Sequence, residues 1–343
     1  MTDTVQGQSI ISGASSTAAK AVDGLEEIDG ADFEVREADV PLESHGARMD
    51  IALAQMVPEF SRSYLQQLVA AGAVRLNGLP ATKPSTRMKV FDRLSIELKP
   101  TAQSKAFKAE PMVLNVVYED EFLLVINKPA GLVVHPAPGN WSGTLLNGLL
   151  DRDPCALLLP RAGIVHRLDK DTSGLMVVAR DRHVMDRLVE MIAARSVSRQ
   201  YIAVAHGAWK GAKTQHVAFP VGRDPKNRLR MAVVDLEKNS GKTASTDITF
   251  LDGGTGYCLV QCKLHTGRTH QIRVHMAAIG HPLIADALYG GIAAGGISRQ
   301  ALHACRLAFD HPITAKKLDF TSRLPTDMDT AILALGLRYN WDQ

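Results

Sequence analysis

His166-Arg167-Leu168-Asp169-Lys170-Asp171-Thr172-Ser173-Gly174 separates two apolar runs, Ala162-Gly163-Ile164-Val165 before it and Leu175-Met176-Val177-Val178-Ala179 after it. Both runs are rich in β-branched residues and read as strands. The Asp, Thr, Ser and Gly between them make a polar turn. Such a turn commonly does no more than satisfy backbone donors with its own side chains. It also sets an acid, Asp169, between rigid elements, where reactive groups tend to be carried. Taken alone, D-x-x-T-S-G does not separate these readings.

Working outward, residues 113–335 are dominated by short apolar runs with few long helices. Strands are predicted over 123–126, 132–134, 175–179, 201–205, 246–250 and 256–264. One clear helix is predicted near 182–195, with Val184, Leu188, Met191 and Ile192 on one stripe. Helices scattered among strands, rather than alternating with them, predict an α+β domain with a mixed, mainly antiparallel sheet.

Upstream the pattern changes. Met49, Leu53, Met56 and Val57 recur at helical spacing and Pro58 closes the segment. Ser61 is placed to cap a second helix carrying Tyr64, Leu65, Leu68 and Val69, ended by Gly72. Asn77-Gly78 signals a hairpin turn, and 90–98 supplies another strand. Residues 45–100 therefore read as a small α/β module, joined by a polar linker, 101–112, to the larger domain. Residues 1–44 read as an acidic, disordered tail, in which Asp32-Phe33-Glu34-Val35 has the makings of an edge strand.

The chain has 343 residues, enough for two domains, with 45% apolar and 22% charged residues, ordinary for a globular protein. No run approaches the roughly 20 apolar residues of a membrane span. No basic region followed by an apolar one marks a signal peptide, so the expected location is cytoplasmic. The net charge of +3 is unevenly spread: residues 1–47 hold ten acids and two bases, leaving +11 on the remainder. A basic body favours a polyanionic partner. Cys258 and Cys262 share one strand face and are expected to be buried, reduced thiols. No metal is expected: His270 and His275, five residues apart, diverge on a helix and on a strand alike. Gly241-Lys242-Thr243 lacks the upstream glycine of a phosphate loop, since position 236 is Leu236.

The nine-residue run resembles the active-site motif of the RluA/RluD family of pseudouridine synthases. Four more segments agree with that family in identity and order. They are the run from Asn127-Lys128-Pro129-Ala130-Gly131 to His135-Pro136, then Arg199-Gln200-Tyr201, then Arg268-Thr269-His270-Gln271-Ile272-Arg273-Val274-His275, and Leu302-His303-Ala304 with Phe309-x-His311-Pro312. Arg48-Met49-Asp50, Ser61-Arg62-Ser63 and Gly72-x-Val74-x-Leu76-Asn77-Gly78 resemble an S4 RNA-binding domain. Together the resemblances span about residues 48–335. The chain departs from the family's usual A-x-T-x-Y/F run at Thr243-Ala244-Ser245-Thr246-Asp247.

The resemblance implies a pseudouridine synthase fold behind an S4-like module, and an enzyme that isomerises uridine in RNA. His135-Pro136-Ala137-Pro138-Gly139-Asn140 and Gly143-Thr144-Leu145-Leu146-Asn147 look closest to the RluD branch, which implies large-subunit (23S) ribosomal RNA as substrate. It assigns Asp169 as nucleophile, Tyr201 as the active-site tyrosine and Arg273 as the ion-pair partner of the acid. Arginine at 273 brings a planar fork able to hold a carboxylate with two parallel bonds. His166, Arg167, Arg268 and His270 are expected at the substrate RNA, and Arg48 and Arg62 on the RNA backbone. Isomerisation involves no redox step, so no cofactor is expected. The protein is expected to act as a monomer, without a membrane. The competing reading, a non-catalytic RNA-binding or ribosome-assembly factor, would fit better had Asp169, Tyr201 or Arg273 been replaced. An acid-dependent hydrolase would need a second placed carboxylate, for which Asp171 is the near candidate.

Overall fold

The structure is a computed structural model that describes residues 34–58, 62–98, 106–137, 139–227 and 229–340. It separates into two compact units, Met1–Lys99 and Pro100–Gln343.

The first unit runs β1 (Glu34–Asp39), α1 (Met49–Met56), α2 (Arg62–Ala70), β2 (Val74–Leu76), β3 (Leu79–Pro80) and β4 (Arg93–Leu98). Its strands form one antiparallel sheet in the order β1-β4-β2-β3. Helical spacing brings Met49, Leu53 and Val57 together with Leu65, Leu68 and Val69 against Leu94 and Ile96 of β4. Asn77 and Gly78 both take positive φ, the conformation a two-residue hairpin turn requires, and Leu76 pairs with Leu79 across it. Ser61, read as a cap, lies outside the described residues.

The reading of residues 1–44 as one disordered tail is corrected from Glu34 onward. β1 pairs with β4 over six residues, from Glu34 opposite Leu98 to Asp39 opposite Arg93. Most of its side chains are exposed, so the strand is held by its backbone ladder and carries no apolar period to read. Residues 1–33 lie outside the described residues.

The second unit opens earlier than expected. Asn147 donates to the carbonyls of Ala106 and Lys108, and Glu110 accepts from the amide of Gly143. Residues 106–112, read as linker, are thus docked on this unit. It continues as β5 (Val116–Glu119), β6 (Leu123–Lys128), α3 (Leu145–Arg152), β7 (Ser173–Ala179), α4 (Arg182–Ala193), β8 (Ser198–His206), β9 (Thr214–Val217), β10 (Val221–Arg223), β11 (Met231–Val233), β12 (Gly241–Lys242), β13 (Thr246–Gly253), β14 (Tyr257–Leu264), α5 (Gln271–Ala278), β15 (Leu302–Asp310), β16 (Lys317–Thr321) and α6 (Thr326–Ala334). The main sheet has nine strands in the order β5-β6-β7-β15-β8-β14-β13-β9, with β16 beside β15. β10, β11 and β12 form a small sheet of their own.

Among the described strands β7 and β15 make the one parallel pairing, His303 opposite Ser173 and Ala304 opposite Gly174. A Cβ at Gly174 would lie 2.3 Å from the carbonyl oxygen of Ala304, and its φ is +117°. Glycine is therefore required where the Asp169 turn enters the sheet. β7 is buried along its whole length, which explains its unbroken apolar run. Met176 and Val178 face one core with Leu145, Leu146 and Leu149 of α3, while Leu175 and Val177 face another with Val184 and Leu188 of α4. Tyr201 and Ala203 of β8 join the first core, and Ile202 and Val204 a third, with Met328 and Ile332 of α6.

Two predicted strands are absent. Pro160–Gly163 is a 3-10 turn with positive φ at Arg161, Ala162 and Gly163, and extended pairing is limited to one bridge between Ile164 and Val178. Proline and the left-handed residues break the ladder there. Residues 132–134 form a bend, held from inside by Lys128. No helix among the described residues is long and apolar enough to cross a membrane.

Candidate active site

A cavity of about 950 Å³ opens in the second unit beside the Asp169 turn, and Arg167, Asp169, Tyr201, Arg268, His270 and Arg273 all line it. Side chains alternate along the run that carries the acid. His166 is turned inward, where its Nε2 accepts the amide hydrogen of Val177. Burial, with help from the Arg199 charge, pushes its pKa down to about 3, so the ring stays neutral with its proton on Nδ1. Arg167 is exposed, Leu168 is in the core, and Asp169 reaches the cavity. The amide of Thr172 donates to the Asp169 carbonyl and closes the turn.

The turn is pinned from behind by Lys128. Its ammonium is 1% exposed and donates to the carbonyls of Pro129, Leu132 and Lys170, at 2.8, 2.9 and 2.9 Å. Burial pushes its pKa down to about 7, against the pull of Asp171 and Asp169. Three acceptors require three hydrogens, which only the ammonium supplies.

Arg273 of α5 crosses to the acid. Its Nη1 donates to Asp169 Oδ2 at 3.2 Å. Its fork is engaged elsewhere: Nε and Nη2 each donate at 2.7 Å to the carboxylate of Asp286, which is buried. The two parallel bonds expected for Asp169 thus belong to Asp286. Burial opposes the charge on Arg273, but Asp286 first and Asp169 second push its pKa well up. The guanidinium carbon also lies 5.0 Å from the ring centre of Tyr289.

His270 approaches the other carboxylate oxygen. Its Nε2 is 3.8 Å from Asp169 Oδ1, and its Nδ1 is 2.8 Å from the Tyr289 hydroxyl. That hydroxyl oxygen also accepts the amide hydrogen of Met231. Burial lowers the pKa of His270, opposed by Asp169. The residue holds φ +56°, an uncommon backbone state for a side chain of this size.

Tyr201 is 5% exposed and lies at the cavity with Asp169. Burial pushes its phenol up to about 12, so the hydroxyl keeps its proton at neutral pH. Arg268 donates through Nε to the Thr243 carbonyl. His275 turns away from the cavity, bonded to Thr246 and the Phe219 carbonyl.

Arg48 and Arg62 belong to the first unit and do not line the cavity. Both donate to Asp50, which is fully buried; burial opposes its charge, but bonds from Arg48, Gln66 and Arg62 hold its carboxyl well below the usual range. Their side chains remain about half exposed, at 40% and 49%.

Asp286, Tyr289 and Lys128 were not legible as site residues, because they act on Asp169 through other groups or through the backbone. The sheet also assembles a cluster with no sequence spacing to announce it. Asp247 lies between His216 at 2.5 Å and His265 at 2.6 Å, with ligand-type atoms within 4.8 Å of one another. Each ring already occupies one carboxylate oxygen, so the cluster is closed by its own hydrogen bonds. Cys258, Cys262 and Cys305 are free and buried, and burial pushes the thiols of Cys258 and Cys305 up to about 12.

Known proteins are similar to this chain. The family model described as RNA pseudouridylate synthase matches residues 122–278, and that of the S4 domain matches residues 48–94. The chain is 44% identical over 317 residues to ribosomal large subunit pseudouridine synthase D of Neisseria meningitidis serogroup B, covering 88% of this chain and 82% of that one. It is 43% identical to the protein of the same name from Pseudomonas aeruginosa, covering 87% and 94%. Among solved structures, human RNA pseudouridylate synthase domain containing 1 is similar with a TM-score of 0.50 and 27% identity, over 65% of this chain and 90% of that one. With its cavity built on the matched segment and relatives above 40% identity along most of its length, the chain belongs to the RNA pseudouridine synthases.

Proposed function

We propose that this enzyme isomerises uridines of large-subunit (23S) ribosomal RNA, with Asp169 as nucleophile. The observation that carries the reading is the contact of Arg273 with Asp169 beside Tyr201, in a cavity large enough for a nucleotide. The substrate class follows the relatives named for the large ribosomal subunit.

Asp169 acts on the ribose, either by adding its carboxylate to C1′ or by taking a ribose proton. Arg273 balances its charge and aims it. Tyr201 presents a flat, protonated ring on which the flipped base stacks, worth about 1–3 kcal/mol against the few kcal/mol that flipping costs. His270 faces the second oxygen of Asp169. Arg167 and Arg268, at the cavity, and Arg48 and Arg62, in the S4 unit, hold RNA phosphates that position rather than specify. His166 supports the strand beneath the turn. The reaction draws on no cofactor. The protein works as a monomer in the cytoplasm, where ribosomal RNA is made.

Mapping pseudouridines in the 23S RNA of a strain lacking this protein tests the reading. One or more sites should revert to uridine, and return with the native gene but not with an Asp169→Asn gene. An unchanged map would send the search to other RNAs. Retained sites with the Asp169→Asn gene would remove the nucleophile.

A further inference from the structure

Arg199 sits on β8 two residues before Tyr201, so the two side chains leave the same face of the strand. It is 5% exposed and lines the cavity with Tyr201 and Asp169. Its Nε is buried with no hydrogen-bond partner, and among the described residues no carboxylate pairs with its guanidinium. A Cβ at Gly267 would come within 2.8 Å of its Nη1, so glycine there leaves the group its place. Burial pulls its pKa down, but a guanidinium stays protonated. A buried cation with no anion beside it is costly, and among the described residues no acid of the second unit offsets that cost.

We infer that Arg199 is the subsite for the detached base, a donor-only cation that receives the O2/O4 edge of the uracil anion. The inference rests on the pseudouridine synthase reading of the cavity. When the N1–C1′ bond breaks, its electron pair leaves with the uracil and spreads over N1, O2 and O4. That holds whether Asp169 forms a bond to C1′ or removes the 2′ proton. C5 then bonds to C1′, Asp169 is released or returns its proton to C2′, and the C5 proton is lost as N1 gains one. Atoms balance, and the one transient anion is the base. A preorganised donor in a dry pocket stabilises such charge more strongly than water does.

The base fits this site better than a phosphate. Arg161, Arg167 and Arg195 stand exposed around the cavity, where a hydrated backbone can reach them. A guanidinium nine-tenths buried is reached by a flat base stacked on Tyr201. The same donors favour uracil over cytosine, which presents an amino donor in place of O4.

The test uses the full-length protein, its Arg199→Met and Arg199→Lys variants, and an RNA that the native protein converts. At saturating enzyme, Arg199→Met should lose about 10²–10³-fold in single-turnover rate, while RNA affinity changes by less than about threefold. Arg199→Lys should recover part of the rate. Arg199→Met should melt no lower than native, because it removes an uncompensated buried charge. With 5-fluorouridine at the target, whose base leaves as a more stable anion, the deficit of Arg199→Met in base detachment should shrink. Weakened binding with a normal saturated rate would reassign Arg199 to a phosphate. Lower melting in both variants would make it structural, and an equal deficit on both substrates would remove the charge argument. A native protein that leaves all uridine intact would remove the underlying reading as well. Native activity beside an unaffected Arg199→Met protein would remove this inference alone.

Discussion

Arg273 gives Asp286 both bonds of its guanidinium fork, at 2.7 Å each, and leaves Asp169 a single contact at 3.2 Å. The buried acid is thus the anchor and the cavity acid the client. Asp286 sets where the guanidinium stands, and Asp169 meets it there with one oxygen, its second facing His270 at 3.8 Å. A nucleophile gripped by both bonds would have less freedom to move onto a ribose carbon.

Asp286→Ala leaves a buried guanidinium with one partner, and should cost about 3–5 kcal/mol of stability. The rate should fall as well, since Arg273 can then swing toward Asp169. Arg273→Lys keeps the charge without the fork and should share both losses. Urea denaturation and single-turnover rates check this; unchanged denaturation midpoints would show that Asp286 is not the anchor.

Asp169→Asn keeps the shape of the turn and removes the carboxylate charge. Isomerisation should disappear, while melting temperature and RNA affinity stay near native. Nucleoside analysis of RNA after incubation with the purified variant reads the outcome directly. Substantial pseudouridine would refute the assigned nucleophile.

Deleting residues 1–99 removes a unit with its own apolar core and leaves the cavity complete. The remaining protein should still modify short RNA, with weaker binding to its natural site and a shallower fall of affinity with salt. Equal affinity and slope in the truncated protein would exclude Arg48 and Arg62 as RNA contacts.

His303 ties the parallel strands together: Nδ1 accepts from the Ser173 hydroxyl at 2.9 Å and Nε2 donates to the Ser322 carbonyl at 3.2 Å. Burial pushes its pKa from 6.5 down to about 4. Between those values the unfolded chain binds the proton and the folded chain does not, so stability is present above pH 6.5 and is lost toward pH 4. The loss from this residue should reach about 3 kcal/mol. Chemical denaturation of native and His303→Gln protein across that range should show a smaller pH slope in the variant.

Gly174→Ala sets a methyl against the Ala304 carbonyl at a φ that alanine resists. Displacing the parallel pairing of β7 and β15 should cost at least about 3 kcal/mol and misplace Asp169. Ser173→Ala, one residue earlier, should cost about 1 kcal/mol for its lost bond to His303.

What could be read from the chain alone was whatever depends on neighbours in sequence. Period and turn chemistry marked α1, α2, α4 and the strands β4, β6, β7, β8, β13 and β14, because each is decided by which side chains recur on one face. The motif around Asp169 marked the acid, and Tyr201 and Arg273 followed from segments that agree with one family in identity and order. β1 was legible only at its first residues, as the makings of an edge strand, because its hold is a backbone ladder with exposed side chains; 132–134 misled because its apolar residues belong to a bend pinned by Lys128. Tertiary structure alone decided which carboxylate takes the fork of Arg273 and that His270 would face the second oxygen of Asp169. It also decided that Arg199 would be buried without an anion. Each of these depends on atoms brought within hydrogen-bonding distance from segments up to about a hundred residues apart. Such bonds are short-ranged and directional, so no local pattern encodes them.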